Sequence, residues 1–292
     1  MTGDGSAGRD VTVRPVPKPE TAFLDVPGGK LAYEVEGEGH PLTLVHAGVA
    51  HLRMWDEQVR AFAERYRVIR YDTRGFGRTR SDDVPFSNRD DLLRLLDHLG
   101  VERTHLLGLS RGATIALDFA LEQPERVSAL VIGATTPSGF KFETPEMDAT
   151  WTEIDRLEEA KNWDALVDLE TQVWTDGVGQ PTDRVRPDIR ERMIKWNLEN
   201  YRAEGGNGQP QPLDPPAAGR LKDVTIPTLV TWGDLDVPAV LAGGEAMASG
   251  IAGARRHVFK GAAHMINLEY PGEFNRLVLD FLAEADRSQV LT

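Results

Sequence analysis

Cysteine is absent from the sequence. That excludes disulfide bonds, thiolate metal sites and a cysteine nucleophile. The absence fits a reducing compartment, so a cytoplasmic location is the expectation. Long apolar runs are missing too: nothing approaches the ~18 consecutive apolar residues of a membrane span. Basic residues are in deficit, with 33 Lys and Arg against 46 Asp and Glu and a net charge of −13. Nucleic acid and anionic membranes call for a basic face, so neither is an expected partner. The first twenty residues lack the apolar core of a secretory signal and are rich in Gly, Asp and Pro. Residues 1–21 are therefore expected to form a flexible tail. Cofactor signatures fail as well. Gly75-Phe76-Gly77 lacks the third glycine and helix-opening context of a dinucleotide loop, and no His-Glu-x-x-His or EF-hand pattern occurs. His46 and His51 have no partnering carboxylate cluster. No cofactor and no metal are expected.

What is present is an alternation of short apolar runs with amphipathic segments. Residues 22–26 and 30–35 flank Pro27-Gly28-Gly29 and read as a hairpin. Strands are expected at 41–46, 67–71, 103–109, 127–132, 228–232 and 255–259. Helices are expected at 55–66, 88–99, 111–123, 240–252 and 271–285. Strands and helices joined by short connections form a mostly parallel sheet covered on both faces. Ligands then bind beyond the carboxyl ends of the strands.

The alternation breaks between residues 135 and 221, where no convincing strand is found. Helical spacing recurs at 151–157, 163–174 and 186–201, and four of the six tryptophans (Trp151, Trp163, Trp174, Trp196) fall here. The segment reads as a helical cap on a core made of 22–134 and 222–292. Its tryptophans either pack internally or line a pocket, with Trp151, Trp174 and Trp196 as the substrate-binding candidates. The oligomeric state stays open: a Trp-rich cap either presents an apolar patch for a homodimer or buries it.

The sharpest motif is Gly108-Leu109-Ser110-Arg111-Gly112. It follows an apolar strand and opens an Ala-rich helix, the context of a nucleophile elbow. Glycines on either side give a strained serine the clearance it needs. A serine hydroxyl needs a neighbouring base, and histidine titrates in the right range. Position favours His264, in the loop after the last strand. His40, His51, His98, His105 and His257 lie in or beside strands and helices, and His46 is the one serious competitor. A carboxylate must orient the base. Asp236 and Asp234 compete for that place, with Asp236 favoured because it lies deeper in its loop. The oxyanion requires two main-chain donors. One is the N–H of Arg111, after the nucleophile, and the other is that of Gly48 or, alternatively, Val49.

With His46-Ala47-Gly48, Tyr71-Asp72-Thr73-Arg74-Gly75-Phe76-Gly77, Gly108 to Gly112, Gly233-Asp234-Leu235-Asp236-Val237-Pro238 and Gly261-Ala262-Ala263-His264, the chain from about residue 22 onward resembles the α/β-hydrolase superfamily. The subgroup it most resembles holds 3-oxoadipate enol-lactonase-like enzymes, carbon–carbon bond hydrolases and small esterases. The resemblance implies an α/β fold with an eight-stranded sheet, a helical cap after the sixth strand, and Ser110, Asp236 and His264 in the triad positions. It implies a serine hydrolase of a small-molecule ester or lactone. Cleavage of a carbon–carbon bond in a diketone or ring-fission product, cofactor-free haloperoxidase-like chemistry and a non-catalytic ligand-binding role are the alternatives. The chain departs from the family in two places. Ala47 stands where glycine is commoner, which is why Gly48 and Val49 compete. Arg111 stands where a smaller or uncharged residue is frequent; its guanidinium either meets a substrate carboxylate or lies along the helix as a surface charge.

Overall fold

The computed structural model describes residues 20–203 and 206–290. The tail expected over 1–21 therefore lies, apart from Glu20 and Thr21, outside the described residues. Eleven strands are described. They are β1 (Ala22–Val26), β2 (Gly29–Glu36), β3 (His40–Val45), β4 (Tyr66–Tyr71), β5 (Arg80–Ser81), β6 (Pro85–Phe86), β7 (Thr104–Leu109), β8 (Val127–Gly133), β9 (Gln209–Pro210), β10 (Thr228–Gly233) and β11 (Arg255–Phe259). The helices are α1 (Asp56–Phe62), α2 (Asn88–His98), α3 (Arg111–Glu122), α4 (Asp148–Glu159), α5 (Trp163–Thr171), α6 (Pro187–Tyr201), α7 (Pro238–Gly250), α8 (Ile266–Glu269) and α9 (Pro271–Val290).

Eight strands run in the order β1-β2-β4-β3-β7-β8-β10-β11, and β5 adds a short ninth beside β2. β2 is antiparallel to β1 and β4, and every pair from β4 to β11 is parallel. The sequence dictates this. β7 and β8 are apolar runs buried at every residue, which requires helices on both faces. α2 starts at Ser87, whose side chain accepts the Asp90 N–H at 3.2 Å, and Gly100 follows its end at φ 65°. A buried ion pair fixes this helix to the core. Arg74 grips Asp91 through two hydrogen bonds of 2.7 and 2.9 Å and donates to the carbonyls of Pro27 and Gly28. Removing one partner of such a pair costs about 3–5 kcal/mol.

Three expectations need correction. The helix expected over 55–66 is split. A 3₁₀ turn at Leu52–Trp55, capped by the His51 ring, leads into α1, and Tyr66 already opens β4. The helix expected over 163–174 ends as α5 at Thr171 and widens into a π-turn, Gln172–Asp176. The stretch 135–221 also holds a strand after all. The two residues of β9 pair in parallel with β6, too few to leave a periodic trace.

The helices between β8 and β10 form their own small core. Trp163 stacks on Tyr201 with centroids 5.0 Å apart. The buried carboxylate of Glu170 on α5 accepts from Asn197 Nδ2 at 2.6 Å and Tyr201 OH at 3.1 Å, both on α6. Asn200 docks α6 onto the strand ends. Its Nδ2 donates to the Ala50 carbonyl, and its Oδ1 accepts the Gly77 N–H, each at 3.0 Å.

Candidate active site

Ser110 sits between β7 and α3 with φ 54° and ψ −127°. For a residue with a side chain this conformation costs about 1–3 kcal/mol. The surroundings hold it there. Its N–H donates to the Gly133 carbonyl at 2.8 Å. Neighbouring glycines are obligatory. A Cβ on Gly112 would collide with the carbonyls of Val45 and His46, and one on Gly108 would collide with Gly112 itself.

The Ser110 hydroxyl lies 2.7 Å from His264 Nε2. On the far side of the ring, His264 Nδ1 lies 2.8 and 3.0 Å from the two carboxylate oxygens of Asp236. The carboxylate is fully buried and accepts, besides the imidazole, the Val237 N–H at 2.8 Å. Nδ1–H therefore donates to Asp236, and Nε2 is left to accept the serine proton. Asp234 has different work. Its Oδ1 accepts the Gly261 N–H at 2.7 Å and its Oδ2 faces Lys260. It ties the loop after β10 to the loop carrying His264.

His46 is wholly buried and serves as scaffold. Its Nδ1–H donates to the Ala47 carbonyl at 2.8 Å, while Nε2 accepts from the N–H and hydroxyl of Thr73 at 3.0 and 3.1 Å. Desolvation, aided by the nearby Arg111 charge, pushes its pKa down to about 3. Asp72 is the second scaffold group. Its carboxylate accepts the N–H groups of Leu52 and Arg78, both at 2.8 Å, and burial pushes its pKa up to about 6. It fastens the 46–52 loop to the glycine-rich 72–79 loop.

Among the described residues, no backbone carbonyl accepts the N–H groups of Gly48, Val49 or Arg111. The Gly48 loop lies against Arg111, since a Cβ on Gly48 would meet Arg111 Cδ at 3.5 Å. The Arg111 guanidinium donates to Thr73 Oγ1 at 2.6 Å and Asn88 Oδ1 at 3.4 Å, and stacks 4.7 Å from the Phe76 ring centroid. No carboxylate among the described residues pairs with it. Burial pushes its pKa down to about 10, so it keeps its charge at neutral pH. It opens onto a cleft of about 430 Å³ shared with Asn88, Thr114, Asp118, Ser138 and Gln211, beside Ser110 in the chain but not lined by Ser110 or His264.

The tryptophans divide. Trp174, in the π-turn, packs on the His264 ring at 4.6 Å, and Trp151 stacks behind it at 5.7 Å. Trp196 packs instead on His51 at 5.4 Å.

A strand–elbow–helix serine, an imidazole and a carboxylate hydrogen-bonded in series at one end of a parallel sheet are matched by a family model. The model described as the alpha/beta hydrolase fold covers residues 40–271. The chain belongs to the α/β-hydrolase family. A 2-hydroxy-6-oxo-6-phenylhexa-2,4-dienoate hydrolase of Comamonas testosteroni is 31% identical over 86% of this α/β-hydrolase and 91% of that protein. A 2-hydroxy-6-oxononadienedioate/2-hydroxy-6-oxononatrienedioate hydrolase of Escherichia coli K12 is 32% identical over 75% of this chain and 77% of its own. Among solved structures, the enol-lactonase from Burkholderia xenovorans LB400 superposes with a TM-score of 0.73 at 27% identity. It covers 90% of this chain and 100% of that one. No helix of the described residues is long and apolar enough to cross a membrane.

Sequence reasoning missed Thr73, which joins His46 to Arg111, and Arg184, which pairs with Glu269. A threonine inside a glycine-rich loop and an arginine in a connection carry no signal of their own.

Proposed function

We propose that this α/β-hydrolase is a serine hydrolase acting on a small carboxylate-bearing ester or lactone. The supporting observation is the unbroken chain Ser110 Oγ, His264 Nε2, His264 Nδ1, Asp236, with links of 2.7 and 2.8 Å. In this reading Ser110 Oγ attacks the carbonyl carbon as its proton passes to His264 Nε2. The N–H of Arg111 and one from the Gly48–Val49 loop hold the oxyanion. The tetrahedral adduct collapses, breaking the acyl–oxygen bond, and the leaving alkoxide takes the proton from His264. Water, deprotonated by the same nitrogen, then attacks the acyl-enzyme and restores Ser110. Asp236 keeps the ring in the required tautomer and steadies the imidazolium. The segment 135–221 acts as the cap, with Trp174 and Trp151 as its wall at the base. The Arg111 guanidinium, charged and without a carboxylate partner, takes the carboxylate of the substrate.

A second reading is favoured by one observation. The curated relatives named above are dienoate hydrolases by name. Under that reading the same serine attacks a ketone, and the bond that breaks is carbon–carbon, the leaving carbon taking the proton.

The test is turnover of chromogenic short-chain esters, lactones and a 2-hydroxy-6-oxo-dienoate by wild type and Ser110→Ala, with product analysis. Wild type turns over one class. Ser110→Ala loses at least about a thousandfold in kcat with its fold intact. Wild-type-like turnover in Ser110→Ala sinks the assignment, and the bond cleaved chooses between the readings.

A further inference from the structure

The guanidinium of Arg184 joins two parts of the molecule that meet at the site. It lies in the connection between the π-turn and α6. On the cap side its Nε donates to the Asp176 carbonyl at 2.6 Å and Nη2 to the Thr175 carbonyl at 2.9 Å. On the core side Nη1 donates to the Gly261 carbonyl at 2.8 Å and to the carboxylate of Glu269. Glu269, on α8, uses its other oxygen to accept the Ala263 N–H at 2.9 Å. The contacted core residues Gly261 and Ala263 flank or adjoin His264, and the contacted cap residues Thr175 and Asp176 immediately follow Trp174.

Asp176 is held a second time. Its fully buried carboxylate accepts from Arg190 Nε on α6 at 3.1 and 3.2 Å. Gly177 comes next, and a Cβ there would lie 3.2 Å from the Ala263 side chain and 3.4 Å from the Leu235 carbonyl. The π-turn is thus seated on both loops that carry His264 and Asp236. A widened turn is costly in a helix and tends to persist where the surroundings hold it. Here what holds it is a charged fork meeting three carbonyls and a carboxylate. Hydrogen bonds from a charged donor in a mostly buried setting are about twice as strong as neutral ones.

We infer that Arg184 is a positioning residue: it clamps the Trp174 turn to the His264 loop, so that the indole stays packed on the imidazole. The inference rests on the serine-hydrolase reading for its consequence and on geometry alone for the clamp. Through the indole, packed on one face of the imidazole at 4.6 Å, the clamp restrains the orientation of the His264 ring. It also keeps water from that face while Nε2 shuttles its proton. Lysine cannot replace it fully, because a point charge cannot span four acceptors in one plane.

The test compares Arg184→Met, Arg184→Lys and Glu269→Gln with wild type and Trp174→Ala. Two readouts are used: kcat and KM, and the NMR resonance of the His264 ring Hε1, which feels the ring current of Trp174. In Arg184→Met the resonance moves toward its position in Trp174→Ala. kcat falls about tenfold or more, and KM changes less than kcat. Arg184→Lys and Glu269→Gln fall between, and they carry the test if Arg184→Met does not fold. A variant that loses thermal stability yet keeps the wild-type His264 resonance and kcat overturns the proposal and leaves Arg184 a mere strut. If wild type turns over no substrate, the hydrolase reading fails by itself, and the resonance still decides whether the clamp exists.

Discussion

His46 Nε2 accepts the backbone N–H of Thr73 at 3.0 Å. This bond fixes the ring as the neutral Nδ1–H tautomer and turns a histidine near the Ser110 turn into a brace between β3 and the loop after β4. The brace has a pH signature. The unfolded chain takes up a proton on this ring near pH 6.5, whereas the folded ring, pushed down to about 3, does not. Acid therefore favours the unfolded state. The stability tied to His46 is complete above the unfolded value and drains away as pH falls toward the folded one. In His46→Gln the slope of unfolding free energy against pH between about 4 and about 6 becomes shallower by up to one proton, about 1.4 kcal/mol per pH unit. Urea melts at stepped pH measure it. Equal slopes in the two proteins would mean the folded ring already carries its proton.

The two aspartates after β10 separate in the same way. Asp236→Asn leaves the ring in the wrong tautomer and lowers kcat by about four orders of magnitude. Asp234→Ala loses the tie to Gly261, which is worth about 1 kcal/mol of stability, and stays within about tenfold of wild-type kcat. Steady-state kinetics beside thermal melts check this. If the Asp234 variant were the inactive one, the acid would be reassigned.

Arg111 is tested through its side chain only, since its N–H survives substitution. Arg111→Met raises KM about 10–100-fold for a substrate with a free carboxylate, the value of one charge-assisted hydrogen bond of about 1.5–3 kcal/mol. The methyl ester of that carboxylate is affected far less. Equal losses on both substrates would make the guanidinium a support for Thr73 and nothing more.

Much of the site was legible because its constraints are local. Gly108 and Gly112 follow from the sharpness of the turn at Ser110, and their spacing is fixed by the adjoining strand and helix. The order of strands and helices follows from apolar periodicity, and it carries Asp236 and His264 into loops at the same end of the sheet. The π-turn escaped notice because helical spacing through Trp174 is unbroken in sequence. β9 escaped because two residues with a proline have no pattern.

The chain by itself determined the sheet, the elbow and the residue types that come to its rim, since burial of alternating segments and the clearance at Ser110 are properties of neighbouring residues. Tertiary structure alone decided the rest. It separated Asp236 from Asp234 by which carboxylate faces Nδ1. It made His46 a brace, left Arg111 without a counter-charge, and laid Trp174 on His264 while sending Trp196 to His51. Those outcomes depend on contacts between residues far apart in the chain, and no spacing rule encodes the direction in which a side chain leaves its loop.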